Sequence, residues 1–351
     1  MRALFLALFL AFILLPVFAQ DLEIIDSRGN SVLLPRLPER IVITGRAGFM
    51  ISNLAFFFKS ASSRLISYSR SLQFHNSDQF YQLLDSKFSE WPEINSHNNS
   101  VEELAALKPD LILAREVERN RLESGLKLLG LKAVFFDLED PKVFFEEIEN
   151  LGTIFGEPEK AQEVVNFFSG WQKRIAERLP VKTKPRVLHL FYSEREGPVS
   201  FSVSPPSWIQ ARIVKEAGGD PVWFDAGADR GWKKVGFEQI AAWNPDYIMV
   251  TSYFSDVEVS VARLKQDKLW QKLQAVSNGR LLAFPEDYIC WDQPDSRWIL
   301  GQCWLAMVLN PEVVELKSDM AEIFNQFFKL YNLSDDKIKE IQIRGDAGFA
   351  R

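Results

Sequence analysis

The sequence predicts an α/β protein made of two similar lobes in tandem, joined by one stiff helix. Three observations carry this. First, one sentence is written twice: residues 100–114 read SVEELAALKPDLILA and residues 236–250 read GFEQIAAWNPDYIMV. Pro109-Asp110 aligns with Pro245-Asp246, Ala105-Ala106 with Ala241-Ala242, Leu104 with Ile240 and Glu102 with Glu238. Second, an echo precedes each copy, Pro38-Glu39-Arg40-Ile41-Val42-Ile43 before the first and Lys184-Pro185-Arg186-Val187-Leu188-His189 before the second. Third, the stretch between them, GEPEKAQEVVNFFSGWQKRIAERLP at 156–180, is helical text and not a Gly/Ser linker.

Each repeated sentence parses as a short amphipathic helix, a Pro-Asp break and a buried strand. The helix has apolar residues at i, i+3 and i+4. Proline cannot continue a helix and drives the preceding residue toward extended geometry. The Leu, Ile and Val run that follows suits a strand covered on both faces.

Taken in order, residues 1–19 read as a signal peptide. Arg2 is followed by an apolar stretch from Ala3 to Leu15, and Val17-Phe18-Ala19 supplies a small-residue cleavage site. The stretch is short of the ~20 apolar residues of a membrane span, and no Cys stands at the cleavage point to take a lipid anchor. The expected product is an exported, soluble, periplasmic chain cut after Ala19. The N-terminal lobe is assigned to 20–155. DLEIIDSRGNSVLLP is a hairpin turning at Arg28-Gly29-Asn30, RIVITGRAG a strand running into a glycine loop, GFMISNLAFFF an apolar helix and RLISYSRS a second strand. The first repeated sentence and the strand LKAVFFD complete it. The inter-lobe helix, 156–180, starts at Glu157-Pro158-Glu159, carries Arg174 and Arg178 near its end and stops at Pro180.

The C-terminal lobe, 181–351, repeats the pattern. RVLHLFYS is a strand, WIQARIVKEAGG a helix with a glycine stop, the second sentence follows, and GRLLAFP is another strand. The loop DYICWDQPDSRW leads into the helix ILGQCWLAMVL, an amphipathic helix from about Pro311 to Leu330, and a polar tail. Strands alternating with helices imply mostly parallel, doubly wound sheets.

The chain has 351 residues, 47% of them hydrophobic and 25% charged, enough for two cored lobes. A net charge of -6 argues against nucleic acid as a partner. The only two cysteines, Cys290 and Cys303, form either a single disulfide or two buried free thiols. His75, His97 and His189 lack metal-site spacing, and there is no GxSxG, phosphate loop or CxxC. No enzymatic activity, cofactor or resident metal is expected, an enzyme built on the same two-lobe scaffold being the alternative from a different class.

Ligands of open α/β sheets bind beyond the carboxyl ends of the strands. Those ends carry Arg46, Tyr68, Arg70 and Arg115 in the first lobe. In the second they carry Tyr192, Arg195, Trp208, Trp232, Tyr253, Trp291, Asp292 and Arg297. Arginine forks suit carboxylates, phosphates and oxyanions, and Trp and Tyr offer flat faces with one polar handle. The set predicts a cleft for a bulky or anionic ligand.

These residues together resemble a known family. The signal peptide, the two EExxALKPD-like sentences, the stiff helix and the Gly231-Trp232 loop look like a periplasmic binding protein of the iron-complex and cobalamin type that serves ABC importers. The resemblance covers roughly residues 22–310 and implies two Rossmann-like lobes joined by one rigid helix, with limited closure on ligand. It implies a permease dimer with its ATPase as partner, the membrane being met only through the permease. Glu102 and Glu238 fall where that family docks onto permease arginines, although an acid in a first helical turn is also favoured by the helix dipole alone. Trp232 matches a cleft tryptophan of the cobalamin binders, whereas their cysteine pair is not kept: Cys303 is near one position and Ala217 stands at the other. The implied ligands are ferric siderophores, haem, cobalamin, molybdate or tungstate. The arginines favour an anionic metal complex, a ferric siderophore or other iron chelate first. A haem ligand would use Tyr68 on the iron.

Overall fold

The computed structural model describes residues 21–349, except 70, 72, 75, 92, 95–98, 182 and 227–230. The signal peptide, Arg70, His75 and His97 therefore lie outside the described residues.

The chain opens with the expected hairpin, β1 (Leu22–Ile25) against β2 (Ser31–Leu34), antiparallel with Leu22 opposite Leu34. Asp26 closes its turn by accepting the N–H groups of Arg28 and Asn30, each at 2.9 Å, and Gly29 takes φ +80°. There follow β3 (Ile41–Thr44), α1 (Gly48–Ala55), α2 (Ala61–Arg64), β4 (Leu65–Ser69), α3 (Ser77–Leu84), β5 (Glu93–Ile94), α4 (Val101–Ala106), β6 (Leu111–Arg115), α5 (Arg119–Leu128), β7 (Ala133–Phe136) and α6 (Pro141–Phe155). The sheet runs β5-β4-β3-β6-β7, every pair parallel. All side chains of β3 and β6 are buried, as expected where helices cover both faces.

The connecting helix α7 spans Pro158–Arg178, 21 residues and so roughly 31 Å. It leaves α6 through Gly156 at φ +72°, and a Cβ on Gly152 would lie 2.4 Å from that of Ala161, so the two helices meet backbone to backbone.

The second lobe contains β8 (Arg186–Ser193), β9 (Ser200–Val203), α8 (Ile209–Glu216), β10 (Asp220–Pro221), β11 (Lys233–Val235), α9 (Phe237–Trp243), β12 (Tyr247–Thr251), α10 (Val257–Gln266), α11 (Gln274–Ser277), β13 (Leu281–Ala283) and α12 (Trp298–Leu309). Its sheet runs β11-β9-β8-β12-β13 with β10 beside β8. The sheet is less parallel than expected. β9 folds back on β8 after a turn at Gly197, φ +107°, and β11 pairs antiparallel with β9. A short reversal of this kind leaves no helical period to announce it. The end of the chain differs too. The amphipathic helix is α13 (Glu315–Lys329), and the polar tail is a further helix, α14 (Asp335–Phe349), which buries Ile338 and Ile341. Cys290 and Cys303 are free and buried, so the disulfide alternative falls.

The repeated sentence now has a physical reading. In the first lobe Asp110 accepts the N–H groups of Glu39 and Arg40 at 2.9 and 3.1 Å, while the Arg40 guanidinium donates to the carbonyls of Lys108 (3.0 Å) and Leu107 (2.7 Å) at the end of α4. In the second, Asp246 accepts the N–H of Arg186 at 2.8 Å, and Arg186 donates to the carbonyls of Asn244 (3.4 Å) and Trp243 (2.7 Å) at the end of α9. Each Asp anchors the start of the neighbouring strand, and each Arg satisfies orphan carbonyls at a helix terminus. The repeat and its upstream echo are two halves of one clamp.

A continuous apolar core runs through both lobes, with a separate smaller cluster in the first. Inside it sits a cross-lobe polar lattice. Arg297, fully buried, donates to Asp287 at 2.9 and 3.0 Å and lies 3.6 Å from Asp295. Asp295 accepts from Asn53 of α1 at 2.5 Å, and Tyr81 of α3 donates to the Asn53 side chain at 2.7 Å. Tyr331, just past α13, donates to the Asn53 carbonyl at 2.9 Å. Removing the guanidinium leaves two carboxylates buried without their partner. Arg297→Met is expected to cost ~3–5 kcal/mol in urea unfolding. A variant with an unchanged midpoint would contradict this structural role.

Candidate functional site: an aromatic cleft at the strand ends

The carboxyl ends of β8 and β12 and the loop before β11 carry a row of rings. Trp208 meets Trp232 edge-on at 5.7 Å, and Trp232 lies 5.0 Å from Phe191 and 6.0 Å from Tyr253. Phe191 stacks on Tyr253 at 4.8 Å. Tyr253 then touches Phe74 of the first lobe at 5.8 Å, and Phe74 touches Phe49 at 5.6 Å. Trp208, Phe191 and Trp232 are half-buried, so their faces remain available to a ligand.

Alternation along a strand decides which residues join the row. Phe191 faces the cleft. Its neighbour Tyr192 points the other way, is 1% exposed and donates to Glu194 at 2.5 Å. Tyr253 is fixed from behind by donating to Asp292 at 2.7 Å. Burial pushes the Asp292 carboxyl up, but His189, 3.2 Å away, together with Tyr253 and Gln293 holds it below the ordinary range.

A cavity of about 210 Å³ continues from this row between the lobes. Gln73, Phe74 and Asn76 line it from the first lobe, and residues 252–256 and 286–288 line it from the second.

The basic candidates separate sharply. Arg46 remains 61% exposed and binds Glu118 at 2.9 Å, while Arg121 takes the other oxygen of Glu118 at 2.5 Å. Two guanidinium groups on one carboxylate leave a net positive charge at this end of the first lobe. Arg115 is buried and engaged with the Asp137 carbonyl at 2.5 Å and Glu139 at 3.3 Å. Arg297 belongs to the core lattice. Trp291, also fully buried, donates to Asp287 at 3.2 Å. Tyr68 is 7% exposed and packs among Tyr81, Phe88 and Trp91. Arg195 is exposed, its guanidinium 4.7 Å from the Phe254 ring.

Thus Trp208 and Trp232 come together with Phe191 at a half-buried face, and Tyr253, 4% exposed, backs it. The expectation that Arg115, Tyr192, Trp291 and Arg297 face the cleft is corrected: each is spent on internal packing or pairing. Phe74, Phe191, Phe254, Asp256 and Glu286 were missed. Strand parity could have revealed Phe191, whereas the others depend on how the lobes meet.

The lobes also touch beyond the row. Glu139 accepts the N–H of Ile209 at 3.2 Å, and Arg212 pairs with Asp140 at 2.5 Å. The loop carrying Glu139 is held by Glu147, 2% exposed, which accepts the N–H groups of Asp137 (2.6 Å) and Leu138 (2.9 Å) and steadies Leu138 at φ +63°. Burial outweighs those two donors and pushes the Glu147 carboxyl up to about 8.

The two α/β lobes, the single helical connection and the ringed cleft define a two-lobed binding fold. Residues 75–288 match the periplasmic binding protein family, and the chain belongs to it. Among curated relatives, the molybdate-binding protein MolA of Haemophilus influenzae is 22% identical over 264 residues, 69% of this chain and 72% of that protein. The vitamin B12-binding protein of Yersinia pestis is 26% identical over 169 residues, 48% of this chain and 56% of that protein. Among solved structures, an ABC transporter solute binding protein from Sulfurospirillum deleyianum superposes with a TM-score of 0.73 at 20% identity, covering 91% of this chain and 98% of its own. Among the described residues, no helix is long and apolar enough to cross a membrane.

The folded state keeps on Glu147 a proton that the unfolded chain gives up near 4.5, so this group favours folding most at low pH and less as pH climbs toward about 8. Between about pH 5 and about pH 8.5, the melting temperature is expected to fall more steeply for the native chain than for Glu147→Gln. Parallel slopes would show that Glu147 titrates as an ordinary carboxyl.

Proposed function

We propose that this protein is the substrate-binding component of an ABC importer, working in the periplasm with a permease dimer and its ATPase. The observation that carries the reading is the aromatic row Trp208–Trp232–Phe191, half-buried at the inter-lobe cleft and backed by the buried Tyr253. The lobe boundaries read from sequence, at 155–156 and 180–181, belong to the same proposal, as does export by cleavage after Ala19.

The ligand we propose is a metal chelate, an iron complex first, in keeping with the family resemblance. Rings supply broad stacking faces, which suit a chelate with an organic shell better than a bare oxyanion. With Arg115 and Arg297 committed internally, Arg46, backed by Arg121, and the exposed Arg195 are the candidate basic groups left to meet an anionic part of the chelate. Relatives that bind molybdate and vitamin B12 show the breadth of cargo near this chain. The role is capture and delivery, not catalysis.

Native mass spectrometry of protein purified from the periplasm is expected to show a co-purifying chelate. Trp208→Ala combined with Trp232→Ala is expected to lose most of it, each ring contact contributing ~0.5–1.5 kcal/mol. Retention of the ligand by the double variant would move the site elsewhere.

Glu102 and Glu238 are both exposed in the first turns of α4 and α9. Helix α4 is already capped by Ser100 and Glu103, at 3.1 and 2.8 Å, so Glu102 is not needed for capping. We propose that both acids dock on the two-fold permease. The Glu102→Ala, Glu238→Ala double variant is expected to lose ligand uptake while keeping ligand affinity. Undiminished uptake would leave both residues as helix-terminal charges.

A further inference from the structure

The cavity between the lobes has a chemical bias that the importer reading does not assign. It is lined by the carboxylates of Asp256, Glu286 and Asp287, the hydroxyls of Ser252 and Ser255, the amides of Gln73 and Asn76, and the rings of Phe74, Tyr253 and Phe254. Among the described residues, no lysine or arginine lines it.

The three acids are not equivalent. Asp287 is consumed by Arg297 and by the N–H groups of Tyr288 and Ile289. Asp256 gives one oxygen to the N–H of Val259 at 3.0 Å, the first turn of α10. Glu286 stands one residue from Asp287, and the charged neighbours that act on it most strongly are Asp287, Asp256, Asp292 and Glu258, all acids. Of the basic side chains nearby, Arg297 is bound to Asp287, and Arg195 lies over the lining ring of Phe254. Burial and these acids push the Glu286 carboxyl up to about 7.

A second observation points the same way. The side-chain carbonyl oxygen of Gln73 is buried and has no hydrogen-bond partner. A buried acceptor left unmade costs free energy that a donor would recover. Acceptors, carboxylates and ring faces in one small cavity together suit a cationic N–H donor.

We propose that the ligand of this cleft carries a protonated amine or comparable cationic group that enters the cavity between Glu286 and Gln73, against the rings of Phe74 and Tyr253. The proposal rests on reading the cleft as the ligand site and specifies the charge of one end of the ligand.

The test uses a linear ferric trihydroxamate with one free terminal ammonium and its neutral N-acetyl counterpart, identical in metal and shell. Binding to the whole protein is followed by tryptophan fluorescence. The ammonium form is expected to bind roughly tenfold to hundredfold tighter, the range of a hydrogen bond to a charged group. The preference should shrink below about pH 7, as Glu286 takes a proton, and at high salt. Glu286→Gln should abolish the preference and Glu286→Asp should retain most of it. Equal affinity of the two forms, no binding of the ammonium form, or a preference that survives Glu286→Gln would each overturn the proposal. Failure here is distinguishable from failure of the importer reading, which stands or falls with the endogenous chelate seen by native mass spectrometry.

Discussion

The guanidinium of Arg297 is the constraint around which the two lobes are arranged. A charge with no exposed surface must be paired or the fold does not hold. Its two carboxylate partners sit on its own loop, and one of them ties that loop to distant parts of the chain. Asp287 and Asp295 come from the loop between β13 and α12, and Asp295 carries the contact on to Asn53 of α1. Asn53 is itself held by Tyr81 of α3 and Tyr331 beyond α13. The Phe80 ring lies 4.4 Å from the guanidinium carbon. Rotating one lobe against the other would unpair several of these groups at once.

That lattice also shapes the cleft. Glu286 is adjacent to Asp287 in sequence, and Phe74 packs against Tyr253 where the lobes meet. The aromatic row is organised in the same way, from behind. Asp292 holds Tyr253, and Tyr253 supports Phe191 and Trp232. A face presented to a ligand is thus braced by buried polar groups, which reduces what must be ordered on binding.

The α7 helix adds a mechanical layer. Its residues Trp171, Arg174 and Arg178 bind Gln326, Asp319 and Glu322 of α13. The helix α14 returns to the first lobe, where Lys337 donates to the carbonyl of Leu83 at 2.7 Å. The end of the chain therefore straps the lobe in which the chain began.

Much of the architecture was legible without coordinates, because it rests on local rules. The Pro-Asp sentence announced two equivalent lobes, since the same short-range clamp needs the same residues at the same spacing: Asp110 with Arg40, and Asp246 with Arg186. The α7 helix was readable from its proline start and period, and Trp208, Trp232 and Tyr253 from their places at strand ends. The fate of the arginines was not readable. Arg46, Arg115 and Arg297 look alike in the sequence, yet one is open to solvent and two are buried on internal acids. A charged side chain takes its role from whichever opposite charge the fold brings within ~4 Å. For Arg297 those charges sit on its own loop, and only the tertiary structure ties that loop to a distant helix. The sequence by itself determined the lobes, their connection and the rings. The folded chain alone decided which charges remain for a ligand, because pairing depends on distances through space and not along the chain.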